Sequence, residues 1–577
     1  MIGKGLKRKC MLVLALLWSI AMQATEVFVE FSHQGGFYEK PFHVTLTCPK
    51  GYTIHYTVNG NEPTFADAQY GKPLFLDQAL YSRSDIYTVQ CCPDENWYVP
   101  DSIHHCIVIR AAAFDETGAC CGDVTTNSYI IKSLGNDFHG LPVVSICSDS
   151  LSLFSADSGI FVQGATGNNY AQRGRDWERI CNFEFYETGS QGCNGRVGMR
   201  THGAAARSGM QKGMKFYARR EYSNSKLSYP FFGSDNNDSF KHLILKPFWG
   251  EFYRDHVCTE IAKVLDMEVP ASRPVVVFLN GEYWGLYFLK ERPDARYIAD
   301  HFGCNKNEVN VIESWFGDVT NGTSDSFQMM MEWMRQANLA NDAEYQRARQ
   351  MIDVDCFIDY YCFQMFVNNQ DWPDNNMRCW QANDGKWRWI FFDGDYCLTS
   401  YRGVYYKTIG NENDKEASHL LLARLLDNEN FRNQFYQRFA TLLTHEFHSK
   451  RTQKIFKSCL RSIEEEIPAQ YHRFGLEDYR EQFDLQADFL SDFLDIRFVS
   501  AASMLYKLFY YNNWEYTDSK SEKNVRFYEI NGKRPTFMIR MARQLKDWQY
   551  VWAYFRYERF RIKNEIKELW IKVKAVF

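Results

Sequence analysis

The hydrophobic period changes along this chain, and that change limits what it can fold into. Up to about Phe288 the apolar residues come mostly in short alternating or continuous runs. From about Ser324 onward they recur at helical spacing. Val27–Phe31, Phe42–Thr47 and Tyr52–Val58 alternate and are rich in β-branched residues, and Asn59-Gly60 follows as a turn signal. Ile107–Phe114 and Thr126–Ile131 complete a strand-only segment over 25–132, which predicts a β-sandwich. A second strand-rich region opens at Leu141–Cys147 and continues through Arg179–Tyr186, Lys215–Ala218 and His242–Lys246. A helix is expected over Phe252–Leu265, where Val257, Ile261 and Val264 share a face. Pro274–Phe288 reads as a hairpin turning at Asn280-Gly281. The later helical patterns, Met329–Asn338, Ala343–Ile352, Phe357–Phe366 and Leu420–Phe447, are interrupted by one hairpin, Met377–Trp380 with Trp387–Phe392. Strands first and helices later, around a small hairpin, predict an α+β chain with a strand-rich and a helical lobe.

Composition narrows the function. At 577 residues the chain has room for about three to five domains. Aromatic residues make up 16%, enough large rings for a sizeable core. The net charge of −5 excludes a globally polycationic nucleic-acid binder. Lys4, Lys7, Arg8 and Lys9 precede the short apolar run Met11–Ile20, and Ala21 and Ala24 follow. Residues 1–24 therefore read as an export signal, too short to span a bilayer, and no later stretch reads as a second anchor. The expected destination is secreted, periplasmic or cell-surface. None of the 17 cysteines forms a CxxC pair or a zinc-spaced cluster. Disulfides and small buried thiols both remain open readings. Residues 510–577 change character again: Asn512–Asn524 is polar, and Trp548–Phe577 is basic and aromatic. That end reads as an amphipathic helix facing an anionic partner or as a solvated helix face.

The stretch that carries chemistry is Asn368-Asn-Gln-Asp-Trp-Pro-Asp-Asn-Asn376, followed by Phe391-Phe-Asp-Gly-Asp395. A helix end presents Asp371 and Asn376, and a hairpin returns the chain to Asp393 and Asp395. Carboxylates and a carboxamide gathered in this way are hard oxygen ligands of the kind Mg²⁺ takes. Asp-x4-Asn, a hairpin and a further Asp also give the layout of a kinase catalytic loop and metal loop. Asp and Asn are equally common in turns for purely structural reasons.

Ordered motifs over about 141–509 resemble the CotH kinase family, the spore-coat-H type of atypical secreted kinase. They are Arg200-Thr-His-Gly203, Arg207, Gln211-Lys212 through Tyr217-Ala-Arg219, and Asn280-Gly-Glu-Tyr-Trp-Gly-Leu-Tyr287 with Glu291. Asp371-Trp-Pro-Asp-Asn-Asn376, Lys386–Trp389, Asp393-Gly-Asp395 and the terminal helix from Phe489 through Arg497 to Leu508 continue the series. The stretch Ile54-His-Tyr-Thr-Val-Asn-Gly-Asn-Glu-Pro-Thr64 resembles the β-sandwich at the C-terminal end of chitobiases and β-hexosaminidases. These resemblances imply a two-lobed, atypical protein-kinase-like domain over 140–509, preceded by an immunoglobulin-like sandwich over 25–132. They imply ATP and Mg²⁺ as cofactors, with a nucleotide and a protein acceptor as partners. Lys212 would contact the nucleotide phosphates, its structural alternative being a surface strand lysine. Asp371 would be the catalytic Asp. Asn376, with Asn375 beside it, and Asp393 would hold metal, with Asp395 assisting. Glu291 would pair with Lys212, bind metal or form an exposed ion pair. Arg200 and Arg207 would hold phosphates or pair with carboxylates.

The chain departs from the family pattern in two places. No glycine follows the paired aspartates in Asp395-Tyr-Cys-Leu-Thr399, and Ala204-Ala-Ala206 replaces a Gly/Ser-rich stretch. Alanine does not allow the close backbone approach to phosphate that glycine does. Three readings follow. The first is an exported kinase acting on Ser or Thr of a secreted or envelope protein. The second is a catalytically inactive kinase-fold scaffold at the cell surface. The third is a carbohydrate-associated binding protein, with Asp371 and Asp393 as its two carboxylates and a cell-surface glycan as partner.

Overall fold

The computed structural model describes residues 27–510 apart from 82–84, 93–96, 166, 190–191, 234–236, 249–252, 374, 384, 400–416 and 477–479. The segment read as an export signal and, but for Tyr510, the C-terminal extension lie outside the described residues. The main strands are β1 (Gly36–Tyr38), β2 (Thr53–Thr57), β3 (Ala68–Gln69), β4 (Ile107–Phe114), β5 (Cys120–Ile131), β6 (Val143–Cys147), β7 (Arg179–Tyr186) and β8 (Cys193–His202). They continue as β9 (Gly213–Tyr217), β10 (His242–Pro247), β11 (Ser272–Leu279), β12 (Glu282–Glu291), β13 (Val309–Ile312), β14 (Val319–Asn321), β15 (Cys379–Ala382) and β16 (Arg388–Trp389). The chain divides into two compact units, one of residues 1–200, 221–224 and 276–284, the other of 201–220, 225–275 and 285–577. Three strands, β8, β11 and β12, run from one unit into the other.

The first unit is strand-rich, as expected. A five-stranded sheet has the order β1-β5-β4-β2-β3. In β4, Ile107, Ile109, Ala111 and Ala113 pack on Val29, Val44, Leu46 and Tyr129. The remaining β4 residues are also buried, including Arg110, whose guanidinium reaches Glu62 at 3.0 Å and the Gly60 carbonyl at 2.8 Å. A buried Arg is tolerated here because its donors are met. Farther along, β6 runs antiparallel to β7 and parallel to the 276–279 part of β11. The turn at Asn280-Gly281 has positive φ at both residues, +50° and +84°, as the sequence demands of a two-residue hairpin turn.

The second unit carries nearly all the helices: α1 (Tyr253–Ala262), α2 (Ala295–Phe302), α3 (Asp325–Gln336), α4 (Asp342–Met351), α5 (Val354–Val367), α6 (Ala417–Leu425), α7 (Glu429–Thr444), α8 (Ser449–Arg461), α9 (Ile467–Arg473) and α10 (Arg480–Tyr510). Mixed α+β architecture with an N-terminal β domain therefore holds. Here β10 pairs antiparallel with β9 and with the end of β12, placing Ile244 opposite both Lys215 and Lys290. A small sheet, β14-β13-β15-β16, contains the expected hairpin, with Cys379 opposite Trp389. The helix α5 is buried on nearly every side, because eleven of its fourteen residues, all but Asp355, Asp359 and Gln364, are apolar or aromatic. Asp353 caps its start by accepting from Cys356 N. Its end is held by Arg497 of α10, which is fully buried and donates to the Met365 and Phe366 carbonyls at 2.5 and 2.7 Å. The described cysteines form no disulfide and most are buried, so here they serve as small apolar groups. Among the described residues no helix is long and apolar enough to cross a membrane.

Candidate active site

The helix α5 ends where Asn368 turns left-handed at φ +53°. Asn and Asp tolerate that conformation better than most residues. The Asn369 side chain then accepts from Asp371 N at 3.2 Å, and the Asp371 carbonyl accepts from Asn375 N at 2.8 Å. This compact turn is backed by Trp372, which is buried edge-on against Tyr361 at 4.9 Å. Asn376, again left-handed at φ +55°, donates from Nδ2 to Asp371 Oδ2 at 3.3 Å and to the Asp393 carbonyl at 3.5 Å. The structure thus brings Asp371, Asn376 and Asp393 together.

Lys246 stands at the centre of the second half of the site. Its strand β10 buries Leu243, Ile244 and Leu245, and the lysine ammonium meets three carboxylates. The distances are 2.7 Å to Asp393 Oδ1, 2.8 Å to Asp395 Oδ1 and 3.2 Å to Asp255 Oδ2. Asp255 comes from the first turn of α1 and is almost fully buried. Its Oδ1 accepts from Gly394 N at 2.8 Å, and its Oδ2 also pairs with Lys290 of β12. Two cations and three carboxylates therefore share one cluster. Burial opposes the charge on Lys246, but Asp255, Asp393 and Asp395 outweigh it and hold the ammonium well above the ordinary lysine range. Burial would raise Asp255; Lys246 and Lys290 carry it far below instead. Lys246 likewise holds Asp393 low. Burial pushes Asp395 up to about 7, against the pull of Lys246 and with the help of the Asp393 and Asp255 charges.

Asp393 keeps 42% of its side chain exposed, whereas Lys246 keeps 15%. The cluster opens to solvent at Asp393. The donors available to a metal are the Asp393 and Asp395 carboxylates and the Asn376 carboxamide oxygen, whose Nδ2 is committed to Asp371. Among the described residues no group of three His, Cys, Asp or Glu forms a ready metal cage. That donor set still fits Mg²⁺, which is usually held by one or two carboxylates while substrate phosphates and water complete its shell.

The remaining sequence-derived residues lie in other settings. Lys212 is fully buried just before β9 and donates to the carbonyls of Arg207 at 2.8 Å and Gly209 at 3.2 Å. It staples its own loop, so the surface strand lysine is not what the fold contains. Glu291 does not take Lys212 as its ion-pair partner: its two oxygens accept from His301 Nε2 and Ala271 N, each at 2.9 Å. Strand alternation explains this, because Lys290 faces the cluster and Glu291 the opposite side. Arg200 pairs with the buried Glu178 through Nε and Nη2 at 2.9 and 2.6 Å, which is its carboxylate alternative. Arg207 donates to the Gly203 carbonyl and Thr201 Oγ1. The glycine-free segment after Asp395 is packed: Cys397 and Leu398 are buried, and Leu398 N donates to the Val367 carbonyl at 2.7 Å. Sequence reasoning missed Lys246, Asp255 and Lys290. The available signal was a lone lysine closing the apolar run Leu243–Leu245, followed shortly by a helix with an acid in its first turn.

Comparison with known proteins decides the family. The family model described as CotH kinase protein matches residues 199–500, more than half of the chain. The chain belongs to the CotH kinase family. A second model, the chitobiase/β-hexosaminidase C-terminal domain, matches residues 33–86 ahead of the CotH region. No curated protein matches the chain. Among solved structures, HipA of Shewanella oneidensis MR-1, in a toxin–antitoxin complex with HipB and operator DNA, is similar at 12% identity and a TM-score of 0.21. That match covers 47% of this chain and 66% of HipA. CotH membership implies an atypical kinase, with a nucleotide and a protein substrate.

Proposed function

We propose that this CotH-family protein is an exported kinase that transfers the γ-phosphoryl group of ATP, with Mg²⁺, to a Ser or Thr hydroxyl of a secreted or envelope protein. The observation that carries the reading is the ammonium of Lys246, held by a helix carboxylate and by the exposed Asp393. A kinase active site needs such a strand lysine, fixed by an acid on a neighbouring helix and close to the metal-binding Asp. In this reading the strand-rich and helical parts of the second unit form the two lobes of an atypical kinase fold. Lys246 rather than Lys212 meets the nucleotide phosphates, and Asp255 with Lys290 fixes its position. Asp393, Asp395 and Asn376 hold the metal, and Asp371 orients the acceptor hydroxyl and takes its proton. The acceptor oxygen forms its bond to the γ-phosphorus as the bond to the ADP oxygen breaks. A bound Mg²⁺ would neutralise phosphate charge. Export rests on the leader-like pattern of residues 1–24. No feature of the site favours the scaffold or carbohydrate-associated readings.

The test is phosphoryl transfer by the full chain, read by intact mass after incubation with Mg²⁺-ATP and candidate envelope proteins. Phosphate gain that falls by about 10²–10⁴ in Asp371→Ala is expected. Equal gain in both proteins, or none with any acceptor, contradicts the reading.

A further inference from the structure

The helix α5 carries one amide among its apolar side chains, Gln364, and that side chain is fully buried. A buried amide costs free energy unless its donors and acceptor are used. The amide is not spent on closing the helix. The Gln364 backbone carbonyl accepts from Asn368 N and Asn369 N, and Arg497 donates to the two carbonyls that follow. The Gln364 side chain faces Asn369 instead, a second fully buried amide, whose Nδ2 donates to Gln364 Oε1 at 3.0 Å. Asn369 Oδ1 in turn accepts from Asp371 N at 3.2 Å. The order of donors and acceptors along this chain is fixed from one end. A backbone N–H only donates, so Asn369 offers its oxygen to Asp371 and its NH2 to Gln364. Gln364 then offers its oxygen to Asn369, and its own Nε2 is left for another acceptor. The Tyr360 hydroxyl lies beside both Gln364 and Trp372. Among the described residues, Gln364 Nε2 and Trp372 Nε1 make no direct hydrogen bond elsewhere.

We propose that Gln364 is a positioning residue for Asp371, acting through Asn369. The catalytic role of Asp371 rests on the kinase reading; the hold on its backbone rests on the hydrogen bonds alone. Asp371 is gripped at two points, at its backbone N–H by Asn369 and at Oδ2 by Asn376. The first grip ties the loop to α5, the most deeply buried helix of the unit, and fixes where the carboxylate starts from. A group that takes a proton from an acceptor hydroxyl has to lie within hydrogen-bond reach of it. A displacement of about 1 Å at such a group costs on the order of 10² in rate. Gln364 touches neither the metal donors nor Lys246, so its influence falls on the transfer step and not on nucleotide binding.

The test is amide hydrogen exchange of the full chain, read residue by residue, beside phosphoryl-transfer kinetics. Two amides are compared: Asp371, which bonds Asn369, and Leu398, which bonds the Val367 carbonyl at the end of the same helix. Both should be protected in the unaltered protein. Gln364→Met keeps the length of the side chain and removes its amide. It should speed exchange about tenfold at Asp371 and leave Leu398 unchanged, whereas general loosening of α5 would speed both. The same variant should lower kcat by about 10–100-fold and keep the KM for ATP within about twofold. Gln364→Glu should restore slow exchange and most of kcat, because a buried carboxyl stays protonated and presents a carbonyl to Asn369 and an O–H in place of Nε2. If Gln364→Met does not fold, Asn369→Ala removes the same link from the loop side and is read at the same two amides. An unprotected Asp371 amide in the unaltered protein, equal acceleration at Asp371 and Leu398, or a folded variant with unchanged exchange and kcat overturns the proposal. Exchange that depends on Gln364 in a protein that transfers no phosphate supports the hold on Asp371 and counts against the kinase reading. Transfer with the same kcat in every folded variant does the reverse.

Discussion

Lys246 is the residue on which the site turns. Removing its ammonium leaves Asp255, Asp393 and Asp395 facing each other, with Lys290 as the remaining cation paired to them among the described residues. Breaking a buried ion pair from one side typically costs about 3–5 kcal/mol. Lys246→Met should lower stability by about that amount, read from the denaturation midpoint, and abolish nucleotide binding. Asp393→Asn removes one half-exposed carboxylate and should cost far less stability while still weakening metal-dependent binding. A fall in stability at Asp393 equal to that at Lys246 would show the two residues in a purely structural network. Part of the site's acidic side was singled out in the sequence, because Asp371, Asn376, Asp393 and Asp395 sit on two adjacent turns joined by one hairpin; Asp255 was not. Lys246 was not, because its partners lie 9 and 147 residues away and no local pattern links them. Lys212 shows the converse. It precedes a strand, as the family motif has it, but its side chain folds back onto the carbonyls of its own loop.

At the scale of elements, two contacts hold the site in place. Arg497 of α10 closes the last turn of α5, from which the Asp371 loop departs. Arg497→Ala leaves buried carbonyls without donors and should destabilise the protein by about 2–4 kcal/mol, read from the denaturation midpoint. An unchanged midpoint would mean that α5 needs no such cap. His256 of α1 stacks on Phe288 at 5.1 Å beside Asp255, and burial pushes its imidazole down to about 3. The unfolded chain binds that proton near pH 6.5 and the folded chain does not, so stability falls as pH drops from about 6.5 toward 3. Between pH 6 and pH 5 the native protein should lose about 1 kcal/mol more than His256→Gln, measured by urea unfolding. Parallel profiles would show that His256 is protonated in the fold. Helix α1 was legible from Val257 and Ile261, but Val264, read as part of the same face, lies beyond its end at Ala262 and is exposed. The role of its polar residues was not, since a buried helix with Asp255 and His256 inward carries no amphipathic signature.

At the scale of the molecule, every residue of the proposed catalytic cluster belongs to one compact unit, assembled from three separated stretches of chain. The change from strand to helical periodicity therefore revealed the α+β class. It did not reveal that 276–284 group with the first unit, because strand patterns carry no record of which neighbour they pair with. Bound nucleotide should stabilise the unit that holds it, by about 2.7 kcal/mol at 100 times its dissociation constant. The decisive measurement is a thermal-shift titration of the full chain with ATP, with and without Mg²⁺, beside Lys246→Met and Asp393→Ala. A Mg²⁺-dependent upward shift, absent from both variants, is the predicted result. No shift at millimolar ATP from a cooperatively melting native protein, or an equal shift in the folded Lys246→Met protein, would contradict the assignment of Lys246 and Asp393 to a nucleotide site.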